Sequence, residues 1–337
     1  MSILRKILFP FALLYGLVML MRNFLYDIRV LKSSSFAFPV ICVGNLSFGG
    51  TGKSPMIEYL LTLLISNHKT ATLSRGYGRN STGFHLLTEG ETAEMVGDEP
   101  LQFKSKFKRA IVAVDEKRKR GISRLQSSCS PDVILLDDAF QHRKVKAGLN
   151  ILLTTYNNLY VDDFILPTGN LREPISGAQR AKIIVVTKCP KDLSVKKQVE
   201  IKKRLKLKKY QKLFFSYIEY SNKVFIKKRG ELISSFTDEK ITLVTGIANP
   251  QPLCDYLDQL HIDYEHLNFP DHHKFSKLDL TQIIESPLVL TTEKDFMRLK
   301  GIISHPKLYY IPIKMKFIGS KALEFDQHIE HFVLNKR

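Results

Sequence analysis

Short runs of apolar, β-prone residues recur along the first two thirds of the chain. Segments long enough for crossover helices separate several of them. The runs are Val40–Val43, Thr70–Leu73, Ala110–Val114, Val133–Leu136, Asn150–Leu153 and Lys182–Thr187. Runs of this kind are typical of strands that are buried on both faces of a sheet. The pattern therefore predicts an α/β fold with a mostly parallel sheet that is covered by helices on both faces.

The pattern changes near Pro190, where a dense basic segment begins. Two β-prone runs follow it, Leu213–Tyr220 and Lys223–Lys227, and they predict a β-hairpin around Ser221-Asn222. Three more strands are predicted after this point. They lie at Ile241–Thr245, Pro287–Thr291 and Lys307–Ile311. This order predicts a second, smaller α/β region after the hairpin.

These observations divide the chain into four parts. We expect a membrane-associated N-terminal helix within residues 1–30 and a large domain over residues 31–212. A β-hairpin linker would follow over residues 213–230, and a smaller α/β lobe over residues 231–337. The boundaries rest on the change in composition, which places a border only approximately.

The N-terminal helix is predicted from Ile7–Met21, which is almost wholly apolar and has Arg5-Lys6 before it and Arg22 after it. About 15 helical residues rise about 22 Å, less than the roughly 30 Å of a bilayer's hydrocarbon core. The segment lacks the small-residue cleavage site of a signal peptide. We expect a helix that lies in or dips into the inner leaflet; the alternative is an apolar helix packed on its own domain.

The net charge of the chain indicates which class of partner it binds. The chain has 51 Lys and Arg against 33 Asp and Glu, a formal net charge of +18, which favours anionic partners. Lys196–Lys212 fits either a solvated helix or contact with an anionic membrane surface. It carries no aromatic stacking pattern and matches no nucleic-acid module, so we expect no nucleic-acid partner. The 4 cysteines are scattered without a C-x-x-C pair and indicate reduced thiols in the cytosol.

The strongest chemical signal follows the first β-prone run. Val40–Val43 leads into a glycine-rich loop that ends in Gly52-Lys53-Ser54, and Pro55 then suits the first turn of a helix. Strand, glycine-rich turn and helix N-terminus are the context of a phosphate-binding loop. The residues predicted to bind nucleotide are Ser47, Phe48, Gly49, Gly50, Thr51, Gly52, Lys53 and Ser54. Ser47 stands where the usual pattern has its first glycine, and the alternative is a turn that merely starts a helix.

A second signal is the strand Val133–Leu136, which runs directly into Asp137 and Asp138. If this strand lies next to the phosphate loop, one of these carboxylates reaches a Mg²⁺ ion that the Ser54 hydroxyl also binds. Apolar strands that end in aspartate are common. The prediction of a magnesium site therefore depends on the upstream Gly-Lys-Ser sequence.

Other polar segments offer catalytic groups. Asp98 could accept a proton or simply cap a helix, and Arg172 could steady a phosphate. Asp271-His272-His273 offers a further proton acceptor, but adjacent histidines are poorly placed to bind one metal ion. Phosphoryl transfer to a hydroxyl group benefits from such an acceptor. The residues alone do not select among these candidates.

Taken in order, the motifs resemble those of the tetraacyldisaccharide 4′-kinase family, the lipid A 4′-kinases of Gram-negative bacteria. They are Ser47–Pro55, Ser74–Arg79, Gly97–Pro100, Asp137–Arg143, Leu171–Glu173, Phe269–His273 and Thr292–Asp295. The resemblance covers the chain from the apolar N-terminal segment to about residue 300. Ser54 replaces the threonine usual in the family, and Ala139 replaces a glycine.

The resemblance implies a lipid kinase. Such enzymes transfer the γ-phosphate of ATP to the 4′-hydroxyl of an acylated glucosamine disaccharide 1-phosphate, giving lipid IVA in lipid A biosynthesis. It also implies a P-loop domain joined by a short β-linker to a smaller lobe, at the cytoplasmic face of the bacterial inner membrane. Two other hypotheses remain: a membrane-associated P-loop ATPase that acts as a conformational switch, and a non-enzymatic basic binding protein.

Residue roles also follow from the resemblance. Lys53 would hold the phosphates, while Ser54 and Asp138, with Asp137 beside them, would hold Mg²⁺. Asp98 would be the general base, with His272 from the other lobe as its dyad partner. The choice of His272 over His273 rests on motif alignment alone. Residues expected to line the site are Arg172, Gln141 and His142, and Tyr77 and Arg79 are expected to contact nucleotide or substrate.

Overall fold

The structure is a computed structural model that describes residues 5, 7–226, 229–237, 239–271 and 273–336. The predicted dyad partner His272 lies outside the described residues. Within the described residues, the strands form two sheets, one of nine strands and one of six. Helices pack against the sheets, so the chain has the α/β fold that the sequence predicts.

The strands have the following bounds. In chain order they are β1 (Val40–Asn45), β2 (Thr70–Ser74), β3 (His85–Leu86), β4 (Ile111–Val114), β5 (Val133–Asp137), β6 (Leu149–Thr155), β7 (Ile183–Thr187), β8 (Lys212–Tyr220), β9 (Lys223–Ile226), β10 (Arg229–Leu232), β11 (Ile241–Thr245), β12 (Tyr264–Asn268), β13 (Val289–Thr292), β14 (Leu308–Ile311) and β15 (Ile313–Phe317). The larger sheet has the order β15-β8-β7-β6-β1-β5-β2-β4-β3, and only its edge strands β3 and β15 are antiparallel to their neighbours among the described residues. The smaller sheet has the order β10-β9-β14-β13-β11-β12.

Helices cover both faces of the larger sheet. In chain order the helices are α1 (Phe9–Asp27), α2 (Lys53–Leu64), α3 (Ala93–Val96), α4 (Asp98–Lys106), α5 (Arg118–Cys129), α6 (Val195–Leu205), α7 (Gln251–Gln259), α8 (Lys277–Glu285), α9 (Glu293–Leu299) and α10 (Lys321–Leu334). Every residue of β1 is buried, and its side chains alternate between two apolar clusters. Ile41 and Val43 face the cluster of α2, and Val40 and Cys42 face the opposite cluster. The strand therefore lies at the centre of the larger lobe.

The two lobes share one apolar cluster. Phe296 and Met297 of α9, in the smaller lobe, belong to the same buried cluster as Leu101 and Phe103 of α4 in the larger lobe. Helices α9 and α4 are in direct contact. The lobes therefore meet through a packed seam between two helices as well as through the chain connections.

The predicted β-hairpin around Ser221-Asn222 is wrong. Strand β8 pairs with β7 and β15 in the larger sheet, whereas β9 pairs with β10 and β14 in the smaller one. The two runs are β-prone and turn residues separate them, but each finds its partners in a different sheet. The antiparallel pair is instead β9 with β10, one connection later.

The prediction that residues 231–337 form one lobe also needs correction. Strand β15 returns to the larger sheet and pairs with β8, and α10 packs on the same lobe. The reason is an aromatic cluster, in which the rings of Phe317 and Phe325 pack edge-on against Phe214 of β8 at centroid distances of 5.9 and 5.3 Å. The smaller lobe is therefore an insertion between β8 and β15.

Helix α1 lies on the larger lobe with one face and exposes the other. Ala12, Gly16, Asn23 and Tyr26 are buried against the protein. The opposite face exposes large apolar side chains. They are Phe11, Leu13, Leu14, Leu17, Val18, Leu20, Met21 and Phe24. The helix is long and apolar enough to cross a membrane by length and composition, although its buried face shows that it also packs on its own domain.

Candidate active site

The phosphate loop connects β1 to α2, as the sequence predicts. Gly52 has a φ of 85°, in the left-handed region that favours glycine, and this turn starts α2 at Lys53. The Asn45 side chain donates a hydrogen bond of 2.8 Å to the Thr51 hydroxyl, and the Thr187 hydroxyl donates one of 2.8 Å to the Thr51 carbonyl. These bonds fix the loop's shape from inside, and the N-terminus of α2 faces the space where phosphates would bind.

The other arm of the loop is joined to the segment that carries Arg172. The Phe48 amide donates to the Asn170 carbonyl at 2.7 Å, and the Arg172 amide donates to the Leu46 carbonyl at 2.7 Å. The Phe48 side chain is 71% exposed, so this residue contributes to the loop through its backbone. The predicted phosphate-binding groups and Arg172 therefore belong to one rigid assembly.

The two aspartates lie beside the phosphate loop because β5 pairs directly with β1. Val43 is the register partner of Asp137. Asp138 follows with a φ of 47°, and this turn aims its carboxylate back at the loop. Its oxygens lie 3.8 Å from the Lys53 Nζ and 2.8 Å from an Arg172 nitrogen. Lys53, Asp138 and Arg172 thus form a charged cluster at the carboxyl ends of the parallel strands.

The surroundings give the two carboxyl groups different pKa values. Burial, together with the charges of Glu99 and Asp138, raises the pKa of Asp137 to about 7. Burial also raises that of Asp138, but the charges of Lys53 and Arg172 outweigh it and leave its pKa below the usual range. Asp138 is therefore ionised at neutral pH, whereas Asp137 needs an added positive charge nearby to be fully ionised.

The same pair fits a divalent cation. Within the described part of the chain, the buried Oδ1 atom of Asp137 has no hydrogen-bond partner. An orphaned carboxylate oxygen next to a second carboxylate is the kind of donor set that Mg²⁺ prefers. Ser54, the second residue of α2, supplies the hydroxyl that the sequence assigns to the same ion.

Gln141 stabilises the site by hydrogen bonds to two neighbouring segments. Its side-chain amide donates to the Asn45 carbonyl at 2.7 Å and to Glu173 at 2.9 Å. Glu173 in turn accepts a bond from Asn23 of α1, and the Tyr15 hydroxyl of the same helix donates to the Arg172 carbonyl at 2.8 Å. The apolar helix is therefore bonded directly to the segments that carry the charged cluster.

His142 lies half-buried next to Asp138. Burial, together with the charges of Arg118 and Arg75, lowers the pKa of His142 to about 4. The imidazole is therefore neutral at physiological pH. As a neutral ring it can donate one hydrogen bond and accept another, which suits contact with a sugar hydroxyl.

Tyr77 and Arg79 are the two residues expected to contact nucleotide or substrate. In the structure Tyr77 is exposed to solvent, whereas Arg79 binds other groups of the protein. Tyr77 is 64% exposed. Arg79 is turned inward, where its guanidinium binds Glu116 at 2.7 Å and the Gly83 carbonyl at 2.7 Å, leaving only 5% of the side chain exposed. The prediction that Arg79 contacts a ligand stays a prediction, and in this structure the guanidinium binds groups of its own lobe.

Asp98 is the first residue of α4 and not its cap, because Gly97 occupies the cap position. Gly97 has a φ of 95°, and a Cβ there would lie 3.1 Å from the Gly76 Cα. The Asp98 side chain is only 11% exposed and forms an ion pair of 3.1 Å with Arg298 of the smaller lobe. His273 binds Asp279 at 2.9 Å and stacks on Phe269, so its ring is engaged within its own lobe.

A cavity of about 350 Å³ separates the lobes in front of the phosphate loop. Gly50–Pro55 line one wall, and Ile247–Asn249 with Glu293 line the other. Lys188, which the sequence analysis missed, also lines it, and burial lowers its pKa. The sequence could have indicated this residue, because it directly follows a parallel strand. The carboxyl ends of parallel strands meet at the edge of the sheet where ligands bind.

Comparison with known proteins shows which family the chain belongs to. The family model described as tetraacyldisaccharide-1-P 4'-kinase matches residues 4–333. The chain belongs to this family. The tetraacyldisaccharide 4'-kinase of Flavobacterium johnsoniae is 53% identical over 337 residues, which cover 99% of this chain and 98% of that protein. Its namesake from Bacteroides thetaiotaomicron is 45% identical and covers 98% of this chain and 93% of its own.

A solved structure shares the whole architecture. A crystal structure of LpxK from Aquifex aeolicus in complex with ATP matches with a TM-score of 0.79 and 29% identity, over 98% of this chain and 100% of that one. The family resemblance and the α/β fold are therefore confirmed. Membership of the tetraacyldisaccharide-1-P 4'-kinase family makes the protein an ATP-dependent kinase, and it does not favour a conformational switch.

Proposed function

We propose that this protein transfers the γ-phosphate of ATP to the 4′-hydroxyl of a tetraacyl glucosamine disaccharide 1-phosphate, which forms lipid IVA in lipid A biosynthesis. Family membership supports the reaction. The observation that carries it in this chain is the cluster of Lys53, Asp138 and Arg172 at the phosphate loop. A kinase needs such a cluster, because phosphoryl transfer depends on positioning and on charge stabilisation.

On the phosphate side, Lys53 and Arg172 hold the β- and γ-phosphates, and backbone amides of residues 47–54 bind the phosphate oxygens. Asp138, Asp137 and the Ser54 hydroxyl would hold Mg²⁺, which neutralises the phosphate charge when it is bound. Until then Lys53 and Arg172 balance the Asp138 carboxylate. Nucleotide binding thus replaces one set of ionic contacts with another.

On the acceptor side, Asp98 takes the proton from the 4′-hydroxyl, and His272 assists it as the dyad partner. Asp98 is the first residue of α4, where a carboxylate can accept a proton, and family resemblance supports this role. Tyr77 and His142 contact the sugar, and Gln141 keeps the surrounding segments in place. The two lobes exclude water from the cleft, which limits wasteful hydrolysis of ATP.

Helix α1 brings the enzyme to its lipid. We propose that its exposed apolar face lies in the cytoplasmic leaflet of the inner membrane, and that the net charge of +18 favours anionic head groups. Because α1 is hydrogen-bonded to the Arg172 and Gln141 segments, an acylated substrate in that leaflet would have its head group beside the phosphate loop.

The decisive experiment is a kinase assay in detergent micelles with MgATP and the defined acceptor disaccharide 1-phosphate. We expect phosphate on the 4′ position, measured by mass spectrometry, and ATP consumption that depends on the acceptor. An unmodified acceptor would contradict the proposal. ATP hydrolysis that ignores the glycolipid would instead support a membrane-associated ATPase.

The membrane contact has its own test, based on the exposed face of α1. Leu13→Glu with Leu17→Glu should reduce binding to anionic lipid vesicles by about 100-fold or more, because each leucine loses about 1.5–3 kcal/mol of apolar burial. Leu278→Glu, at an exposed leucine of the smaller lobe, is the matched control and should leave binding unchanged. Equal binding of both variants in a co-sedimentation assay would remove α1 from the membrane contact.

A further inference from the structure

Helix α9 of the smaller lobe packs against α4, the helix of the larger lobe that begins with Asp98. The motif Thr292–Asp295 opens this helix, and neither the phosphate side nor the acceptor side of the proposed mechanism uses it. Its polar residues and Arg298 are nevertheless buried or nearly so. Burying a charged side chain costs free energy unless the charge is paired. The partners of these buried residues therefore indicate the role of the helix.

Arg298 lies between two carboxylates. Its Nε atom is 3.1 Å from Asp98 Oδ2, and its Nη2 atom is 2.9 Å from Asp295 Oδ1. The side chains of Arg298, Asp98 and Asp295 are 9%, 11% and 0% exposed. Ion pairs this deeply buried are little screened by salt, and removing one partner leaves an uncompensated charge. The guanidinium is therefore ion-paired with the Asp98 carboxylate across the boundary between the lobes, through a close charge contact and not a well-aligned hydrogen bond.

The same guanidinium also binds two backbone carbonyls of the smaller lobe. It donates to the His273 carbonyl at 3.2 Å and to the Gly246 carbonyl at 3.1 Å. Lys294, one turn before Arg298 in α9, donates to Asp271 at 3.1 Å. Helix α9 thus contacts both the residue before and the residue after position 272, as well as Asp98.

The N-terminal end of helix α9 is itself fixed by several polar contacts. At its start, Asp295 accepts bonds from the Thr292 hydroxyl at 2.8 Å and from the Gly246 amide at 2.9 Å. Glu293 binds Lys106, the last residue of α4, at 3.0 Å, and Lys106 also binds Glu58 of α2 at 2.7 Å. The seam is therefore tied to the helix that follows the phosphate loop.

We propose that Arg298 is a positioning residue, which keeps the Asp98 carboxylate and the His273 backbone in place when the smaller lobe is seated on α4. This inference rests on the proposed role of Asp98 as the general base. Arg298 touches neither the phosphates nor the acceptor in this scheme. It acts through Asp98, and it makes the acceptor side of the cleft depend on contact between the lobes.

A double-mutant cycle tests the proposal. Arg298→Gln should lower kcat by about 100-fold, since misplacing a catalytic group by about 1 Å costs that much, while KM for ATP changes less than about threefold. In an Asp98→Asn background the same substitution should add less than about a twofold loss, because residues that act through one another are not additive. Arg298→Lys keeps the charge and should recover part of kcat.

Arg229→Gln is the matched control, since this arginine lies in the same lobe with 80% of its side chain exposed. It should leave kcat unchanged. Arg298→Lys also guards against a Gln variant that fails to fold. An unchanged kcat in folded Arg298→Gln or Arg298→Lys overturns the proposal. So does a loss as large in the Asp98→Asn background as in the wild type, which would mean a purely structural ion pair.

A second readout does not depend on catalysis. Amide hydrogen exchange at residues 97–103 should become faster in Arg298→Gln and stay unchanged in Arg229→Gln, because the first turn of α4 loses its cross-lobe partner. Unchanged exchange in both variants overturns the positioning role. If exchange responds but the wild type fails to phosphorylate the acceptor, the proposed function is what fails.

Discussion

The two sides of the cleft are built in different ways. On the phosphate side, Lys53, Asp138 and Arg172 all come from the larger lobe, around neighbouring strands of one sheet. On the proposed acceptor side, Asp98 comes from the larger lobe, but its ion-pair partner Arg298 comes from the smaller one. The phosphate side therefore exists without contact between the lobes, and the acceptor side does not. Under the proposed mechanism, nucleotide could therefore bind before the acceptor side is complete.

The largest expected effect is on the phosphate side. Lys53→Ala should lower kcat/KM by about 10⁴-fold and weaken ATP binding, because a cation that contacts the transferred phosphate stabilises both the bound and the transition state. The kinase assay and titration calorimetry with ATP measure the two effects. Lys182→Ala, at an exposed lysine of the same lobe, is the control. Normal ATP binding by Lys53→Ala would contradict the assignment.

A smaller and more selective effect is expected on the acceptor side. Asp98→Asn should lower kcat by about 10³-fold, since general bases contribute about 10²–10⁴, and should leave ATP affinity unchanged. The nearby exposed Glu94→Gln serves as the control. If Asp98→Asn instead loses ATP affinity with kcat preserved, the two sides of the cleft do not divide the work as described.

The smallest effect concerns the seam between the lobes and is a change in stability. Burial, and then the charge of Glu58, raises the pKa of Glu293 to about 7 from its usual 4.5, although Lys106 opposes this. The folded protein then binds more protons than the unfolded chain between these pH values. The stability that this carboxyl contributes is present below about pH 4.5 and is lost as the pH rises through 7.

Glu293→Gln should therefore flatten the pH dependence of the free energy of unfolding over that window, by on the order of 2 kcal/mol. Denaturant titrations at pH 4.5 and 7.5, about the two ends of the window, measure the change. Glu285→Gln, at an exposed position of α8, is the control and should keep the wild-type slope. An identical slope in Glu293→Gln would show that this carboxyl does not titrate in the window.

The sequence predicts the phosphate side better than the acceptor side, and the reason is physical. Strand, glycine-rich turn and helix are consecutive, so the loop at Lys53 has a local signal. Asp138 follows a second buried strand, and parallel strands bring their carboxyl ends to one edge. The pairing of Asp98 with Arg298 joins residues 200 positions apart, and no local pattern marks it.

Contacts between distant residues also explain what else the sequence did not predict. Arg79 stands in a polar, glycine-rich loop, and its guanidinium binds Glu116, a partner that no local pattern marks. The predicted hairpin around Ser221-Asn222 has suitable turn residues. Strand β8 nevertheless pairs in the larger sheet, where Phe214 packs against aromatic residues about a hundred positions later in the chain. A local conformational preference is overridden wherever a contact with a distant apolar or charged residue is more stabilising.

The return of the chain to the larger sheet has a consequence for biosynthesis. Ser221 and Pro312 are joined by a backbone hydrogen bond of 3.0 Å, so the chain leaves and re-enters at neighbouring positions. A ribosome releases the inserted lobe before β15 and α10 emerge. The larger lobe is thus begun first and completed last, and Phe214 lacks its aromatic cover until Phe325 has been translated. A nascent chain that stalls after the inserted lobe would expose this surface to chaperones.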